Sequence, residues 1–190
     1  MKPLEKLFWD EIGELLHVEE LLLKALPKMK EAVSEESIRE QLEEYRSQVQ
    51  DDCKRVRDLF QLFEVPPREK KCDAMMGILV RGQQLMQRCG RGPSLDAALL
   101  GQARKITAYK RAAYATAAAW AKSLQSKEAA KPLDRTAAAE EKAAKAFDDL
   151  IDDCHCEAAK QVEESVRKPV ASAAARRPRE VAEGARWGEW

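Results

Sequence analysis

The sequence predicts an all-α fold: a four-helix bundle with a long crossover that contains a short helix, followed by a C-terminal extension. Three observations point there. The 190 residues carry 35% charged and only 6% aromatic side chains, and Ala, Leu, Glu, Lys and Arg dominate over strand formers. Apolar residues recur at spacings of three and four through long segments, which is the helical period. Pro66-Pro67, Gly90 and Gly92-Pro93 punctuate those segments as breakers.

The first helix is expected from Pro3 to about Lys30, on the stripe Leu4, Leu7, Phe8, Ile12, Leu15, Leu22, Leu26 and Met29. Ser34 is then expected to cap a second helix, with Glu35 and Glu36 in its first turn. Its stripe runs Ile38, Leu42, Tyr45, Val49, Val56, Leu59, Phe60 and Phe63 before Pro66-Pro67 ends it. Residues 64–93 form the crossover, with a short helix at about Cys72 to Arg88. Ser94 and Asp96 open a third helix reaching about Leu124, faced by Leu95, Leu99, Ala103, Ile106, Ala113, Ala117 and Trp120. A fourth is expected after Pro132, on Leu133, Ala137, Ala144, Phe147 and Ile151, continuing past Cys154 to about Val166. Residues 1–166 thus make the bundle and 167–190 a flexible basic tail. Two helix pairs joined by one long crossover have the wiring of ferritin-like bundles.

Charge and cysteine content restrict the function. Lys plus Arg (33) equals Asp plus Glu (33), so no global charge draws the chain to nucleic acid or membrane. No apolar run reaches the roughly 18–20 residues of a membrane span. Met1-Lys2-Pro3-Leu4 lacks the apolar core of a signal peptide, which makes a cytoplasmic protein the expectation. Five cysteines, an odd number without paired spacing, read as reduced thiols rather than a disulfide framework.

The informative residues are polar ones that break the apolar stripes. Glu19 lies four after Leu15 and three before Leu22, so it faces the core. Gln48 and Asp52 sit between Tyr45 and Val56. Lys110 sits four after Ile106 and three before Ala113, with Thr107 beside it, and Glu140 sits three after Ala137 and four before Ala144. Burying such groups costs several kcal/mol unless they are paired. Polar groups at one level on all four helices therefore suggest a shared interior site, although a single residue at a stripe edge could reach solvent.

At these residues the chain resembles the YciF-like ferritin-like family of bacterial stress proteins. The runs that carry the resemblance are Val18-Glu19 with Leu22-Leu23-Lys24-Ala25-Leu26-Pro27-Lys28-Met29, Cys72-Asp73-Ala74-Met75-Met76-Gly77, Asp96-Ala97-Ala98-Leu99, and Tyr109 with Ala112-Ala113-Tyr114. It extends over about residues 4–153 and leaves out the tail. The resemblance implies a ferritin-like four-helix bundle, usually a homodimer, with a di-iron site ligated by Glu from each helix plus His, Gln or Asp. Carried over, Glu19 matches the ligand of the first helix and Glu140 that of the fourth, with Glu141 as an alternative register that the Phe147–Ile151 stripe disfavours. Gln48 stands at the Glu position of the second helix, Asp52 one turn on, and Tyr45 at the position of a His. Thr107 and Lys110 stand at the two Glu positions of the third helix, and Ala144 at an Asp position of the fourth.

A di-iron carboxylate centre needs about four carboxylates and two imidazoles. Glu19, Asp52 and Glu140 are the only carboxylates left in this set, and neither His17 nor His155 falls on a ligand position. Lys110 is expected to replace the metal as counter-charge for them. The rival expectation is a reduced mononuclear site of Glu19, Asp52 and Glu140 completed by water. Cys154-His155-Cys156 offers soft ligand types, but adjacent helical residues splay about 100° apart. In the tail, Arg167, Lys168, Arg176, Arg177 and Arg179 could contact phosphate, while Trp187 and Trp190 are candidate partner-binding anchors.

The expectation is a non-catalytic, stress-associated bundle without a cofactor, acting through assembly or partner binding. The alternative is an iron-binding protein with residual oxidase or iron-handling activity, using iron or another divalent metal.

Overall fold

The computed structural model describes residues 3–68 and 70–167, with the backbone alone for residues 152, 153 and 155–167. The helices are α1 (Pro3–Ala32), α2 (Glu36–Leu62), α3 (Asp73–Arg88), α4 (Pro93–Ser123) and α5 (Lys127–Arg167). The α1–α2 hairpin and the α4–α5 hairpin form a four-helix bundle, and α3 lies in the crossover against α1 and α4. Among the described residues no helix is long and apolar enough to cross a membrane.

The apolar stripes divide into two cores stacked along the bundle. One gathers Phe8, Ile12 and Leu15 of α1, Val56 and Phe60 of α2, and the small faces Ala113, Ala117, Ala121, Ala129 and Leu133 of the α4–α5 hairpin. The other gathers Leu22, Leu26, Ile38, Leu42, Leu99, Ile106, Phe147 and Ile151, covered by Met75 and Leu79 of α3. Alanine on both facing helices lets α4 and α5 approach closely along their length.

Several expected boundaries shift for identifiable reasons. Ser34 does not cap α2. Its hydroxyl instead donates to Asp96 (2.5 Å), and the Ser34 and Glu35 N–H groups also donate to that carboxylate (2.8 and 3.0 Å). Asp96 thus supplies, from the first turn of α4, the negative charge that the α2 N-terminus favours. Pro132 lies inside α5, not before it, because Ser126 starts the helix six residues earlier, accepting from the Ala129 N–H (3.4 Å). Pro93 itself is the first residue of α4, where its missing N–H costs nothing. Pro27 is likewise inside α1, which runs on to Ala32. Leu7, placed on the core stripe, is 52% exposed. Phe63 is the C-cap of α2 and packs edge-on against Trp9 (5.7 Å), also largely outside the core.

The C-terminal ends of α2 and α4 both use left-handed residues without glycine. Glu64 (φ 53°) and Gln125 (φ 61°) allow Val65 N–H to reach Phe60 O (3.0 Å) and Ser126 N–H to reach Ala121 O (2.9 Å). These closures satisfy carbonyls that each helix end would otherwise leave unpaired.

The crossover is fastened where Lys70 N–H donates to Gly13 O (3.2 Å). A Cβ at residue 13 would lie 2.4 Å from the Arg68 carbonyl oxygen. Helix propensity alone favours Ala over Gly by about 1 kcal/mol, but the clash here is with backbone. Gly13→Ala is therefore expected to lower stability by about 1–3 kcal/mol, read as a lower urea midpoint with α-helical content retained.

Candidate functional site

Between the two apolar cores lies one polar layer. Glu19 of α1, Asp52 of α2, Lys110 of α4 and Glu140 of α5 are each fully buried. The Lys110 ammonium lies 2.9 Å from Glu19 Oε2, 3.1 Å from Asp52 Oδ2 and 2.7 Å from Glu140 Oε1. Three carboxylates thus surround the one group that carries three N–H donors. Two aromatic faces close the shell, with the Tyr45 and Tyr114 ring centres 5.4 and 5.8 Å from Nζ.

The carboxylates are held from behind as well. Tyr114 donates to Glu19 Oε1 (2.7 Å) and Tyr45 to Glu140 Oε2 (2.8 Å). Gln48 Nε2 donates to Glu140 Oε1 (3.0 Å). Arg55 and Thr136 both donate to Asp52 Oδ1, Thr136 at 3.2 Å, and Arg55 Nε also reaches Thr136 Oγ1 (3.3 Å). Arg55, with 27% of its side chain exposed, brings the second cation to the layer from its solvent side.

Three carboxylates therefore face two cations, which leaves one negative charge in excess. Burial raises the Glu19 carboxyl to about 7 against the pull of Lys110, and the Asp52 and Glu140 charges push the same way as burial. Glu140 is also raised by burial, opposed by Lys110 and Tyr45. Burial pulls the Lys110 ammonium down, but Glu19, Tyr45, Glu140 and Asp52 outweigh it and hold it charged well above its ordinary value. Glu19 is the group best placed to carry a neutralising proton, because among the described residues its one hydrogen-bond donor is the neutral Tyr114, and its Oε2, beside Lys110, accepts none.

Of the remaining expected positions, Tyr45 and Gln48 join the layer as donors to Glu140. Thr107 is buried beside it, but its hydroxyl turns back to the Arg104 carbonyl (3.0 Å). Ala144 lines a surface groove of about 490 Å³ between α4 and α5, together with Thr107, Arg104, Arg111 and Lys145. His17 lies elsewhere, its Nδ1 accepting the Cys72 N–H (3.1 Å) at the start of α3. The side chains of His155, Cys156, Trp187 and Trp190 lie outside the described residues. Sequence reasoning missed Arg55 and the role of Tyr114. Their signal was spacing, three after Asp52 and four after Lys110, which puts each on its neighbour's face.

This donor set does not fit a di-iron centre. Gln48, Arg55, Tyr45 and Tyr114 present hydrogen-bond donors to the carboxylates rather than further ligands, and an ammonium stands at their focus. Among the described residues, no three His, Cys, Asp or Glu side chains converge in a metal-binding arrangement.

The sequence matches the family described as Domain of unknown function (DUF892) over residues 3–164. Protein YciF of Escherichia coli (strain K12) is 28% identical over 137 residues, which cover 72% of this chain and 82% of that protein. The crystal structure of the E. coli stress protein YciF is similar with a TM-score of 0.77 at 25% identity, over 81% of this chain and 98% of the other. YcfI from Rhodopseudomonas palustris shares the fold, with a TM-score of 0.75 at 23% identity, over 78% and 94% of the two chains.

The raised Glu19 carboxyl has a definite sign for stability. From its ordinary 4.5 to about 7, the folded protein holds a proton that the unfolded chain releases. The contribution is fully present below pH 4.5 and is lost as pH rises through 7, a change of about 3 kcal/mol. Urea unfolding from pH 5 to 8 is expected to show this decline in the wild type. It should be flattened in Glu19→Gln, whose amide mimics the protonated acid.

Proposed function

The chain belongs to the DUF892 family of YciF-like ferritin-like bundles, and from that premise we propose that it is a non-catalytic member acting through assembly or partner binding. The observation that carries this reading is the position of Lys110. Its ammonium stands within 3.1 Å of all three interior carboxylates, so a cation supplied by the chain already holds the focus that a metal would take. A divalent ion added beside that ammonium would meet like charge at a few ångströms in a poorly screened interior.

Stress association is part of the proposal, taken from the E. coli relative described as a stress protein. The described cysteines are free thiols, which agrees with action in a reducing cytoplasm. Assembly as a homodimer is the proposed working state, and the segment 167–190, with Trp187 and Trp190, is the proposed contact to a protein partner.

Two experiments test this. Metal analysis of purified protein, joined to a ferrous-oxidation assay, is expected to find neither stoichiometric iron nor turnover. About one tightly bound iron per chain with oxidation activity would refute a non-catalytic role. Truncation after Val166 is expected to leave helical content and thermal unfolding intact while abolishing partner capture in a pull-down. Unchanged capture would remove the tail from the proposal.

A further inference from the structure

The buried layer discriminates between kinds of cation, and the discrimination lies in how its carboxylates are held. One oxygen of each faces Lys110 while the opposite oxygen is committed elsewhere: Glu19 to Tyr114, Glu140 to Tyr45, and Asp52 to Arg55 and Thr136. The three inward oxygens are therefore fixed by contacts to the surrounding helices, not by the lysine alone. Their separations from the central nitrogen, 2.7–3.1 Å, are those of close ion pairs with an ammonium, and Asp52 Oδ2 accepts an N–H from it. Oxygen-bound magnesium or calcium needs about six to eight ligands at about 2.0–2.6 Å. To reach such distances the carboxylates would have to leave their tyrosine, threonine and arginine donors, and Gln48, which also contacts Glu140, presents its Nε2 as a donor. The Tyr45 and Tyr114 faces, within 6 Å of the nitrogen, add attraction for a weakly hydrated organic cation.

We propose that the core is an ammonium receptor built around its own lysine: with the Lys110 side chain removed, it takes up a primary alkylammonium ion in preference to a divalent metal. This rests on the reading of Lys110 as the resident cation. Asp52 Oδ2 accepts an N–H of the resident ammonium (3.1 Å), Glu140 Oε1 and Glu19 Oε2 flank it at 2.7 and 2.9 Å, and Glu19 Oε2 is left free to accept from a mobile R–NH₃⁺ whose alkyl chain takes the buried volume vacated by the lysine stem.

Lys110→Ala lacks an outline equal to propylammonium. Thermal unfolding of this variant is expected to rise with propylamine hydrochloride in a saturable way, by roughly 2–4 °C at about five times Kd. Tetramethylammonium, which has no N–H, and Mn²⁺, Mg²⁺ or NaCl at matched ionic strength should leave it unmoved. The double variant Lys110→Ala with Glu19→Gln buries one carboxylate fewer and is melted alongside, in case the single variant does not fold. The same order of ligands is expected, with a smaller rise. A larger rise with a divalent ion than with propylamine, or none with propylamine beyond NaCl, in the variant that folds overturns the proposal. A metal-driven rise in wild-type protein that disappears in Glu19→Gln would instead overturn the non-catalytic reading, whatever the variants bind.

Discussion

Three carboxylates cannot share a dry interior without a cation among them, and the arrangement of this bundle follows from that constraint. Glu19, Asp52 and Glu140 come from three different helices, and the lysine that reconciles them comes from the fourth. The layer is therefore a point at which α1, α2, α4 and α5 must agree in height and rotation. A shift of one helix by a single turn, about 5.4 Å, would separate fully buried charges from their partners. Apolar contacts above and below tolerate small slips far better, since they have no direction. The two cores supply most of the driving force, and the ionic layer sets the register between them. Whether the ion pairs add net stability is a separate matter, because desolvation offsets much of the Coulomb attraction.

Most of the fold was legible because it is written locally. The three–four spacing of Phe8, Ile12, Leu15, Leu22 and Leu26, and of Leu99, Ile106 and Ala113, needs no knowledge of neighbours to be read as helix. What the sequence concealed was the contribution of distant residues to local features. Ser34 has the chemistry of a helix cap, yet Asp96, 62 residues away, takes that place. Pro132 looked like a boundary because a proline usually is one, and Ser126 outweighed it. Leu7 followed the period but sits where no other helix covers α1.

The site was legible to a similar degree and for a related reason. A charged residue in the middle of an apolar stripe is visible from one helix alone, so Glu19, Asp52, Lys110 and Glu140 could be placed inside before any geometry was known. Which of them touch, and who supports them from behind, depends on the rotation of one helix against another. That is why the sequence does not reveal Arg55, at the rim of α2, or Thr136, which the resemblance marks only as support for an inward Glu140, as partners of Asp52. Tyr114 stood out only through a family resemblance, and its hydrogen bond to Glu19 gives it a physical role.

The trans-acting carboxylate at the α2 N-terminus has a consequence for the order of events during synthesis. A ribosome delivers α1 and α2 well before residue 96, and later still residue 110. Until then the first hairpin has an open N-terminus on α2 and two interior acids, Glu19 and Asp52, with no lysine between them. That hairpin cannot mature as a vectorial, self-sufficient unit. Both gaps are filled from one helix, α4, which carries Asp96 and Lys110. The cap of α2 and the ionic layer are thus both completed only by residues of the second half of the chain.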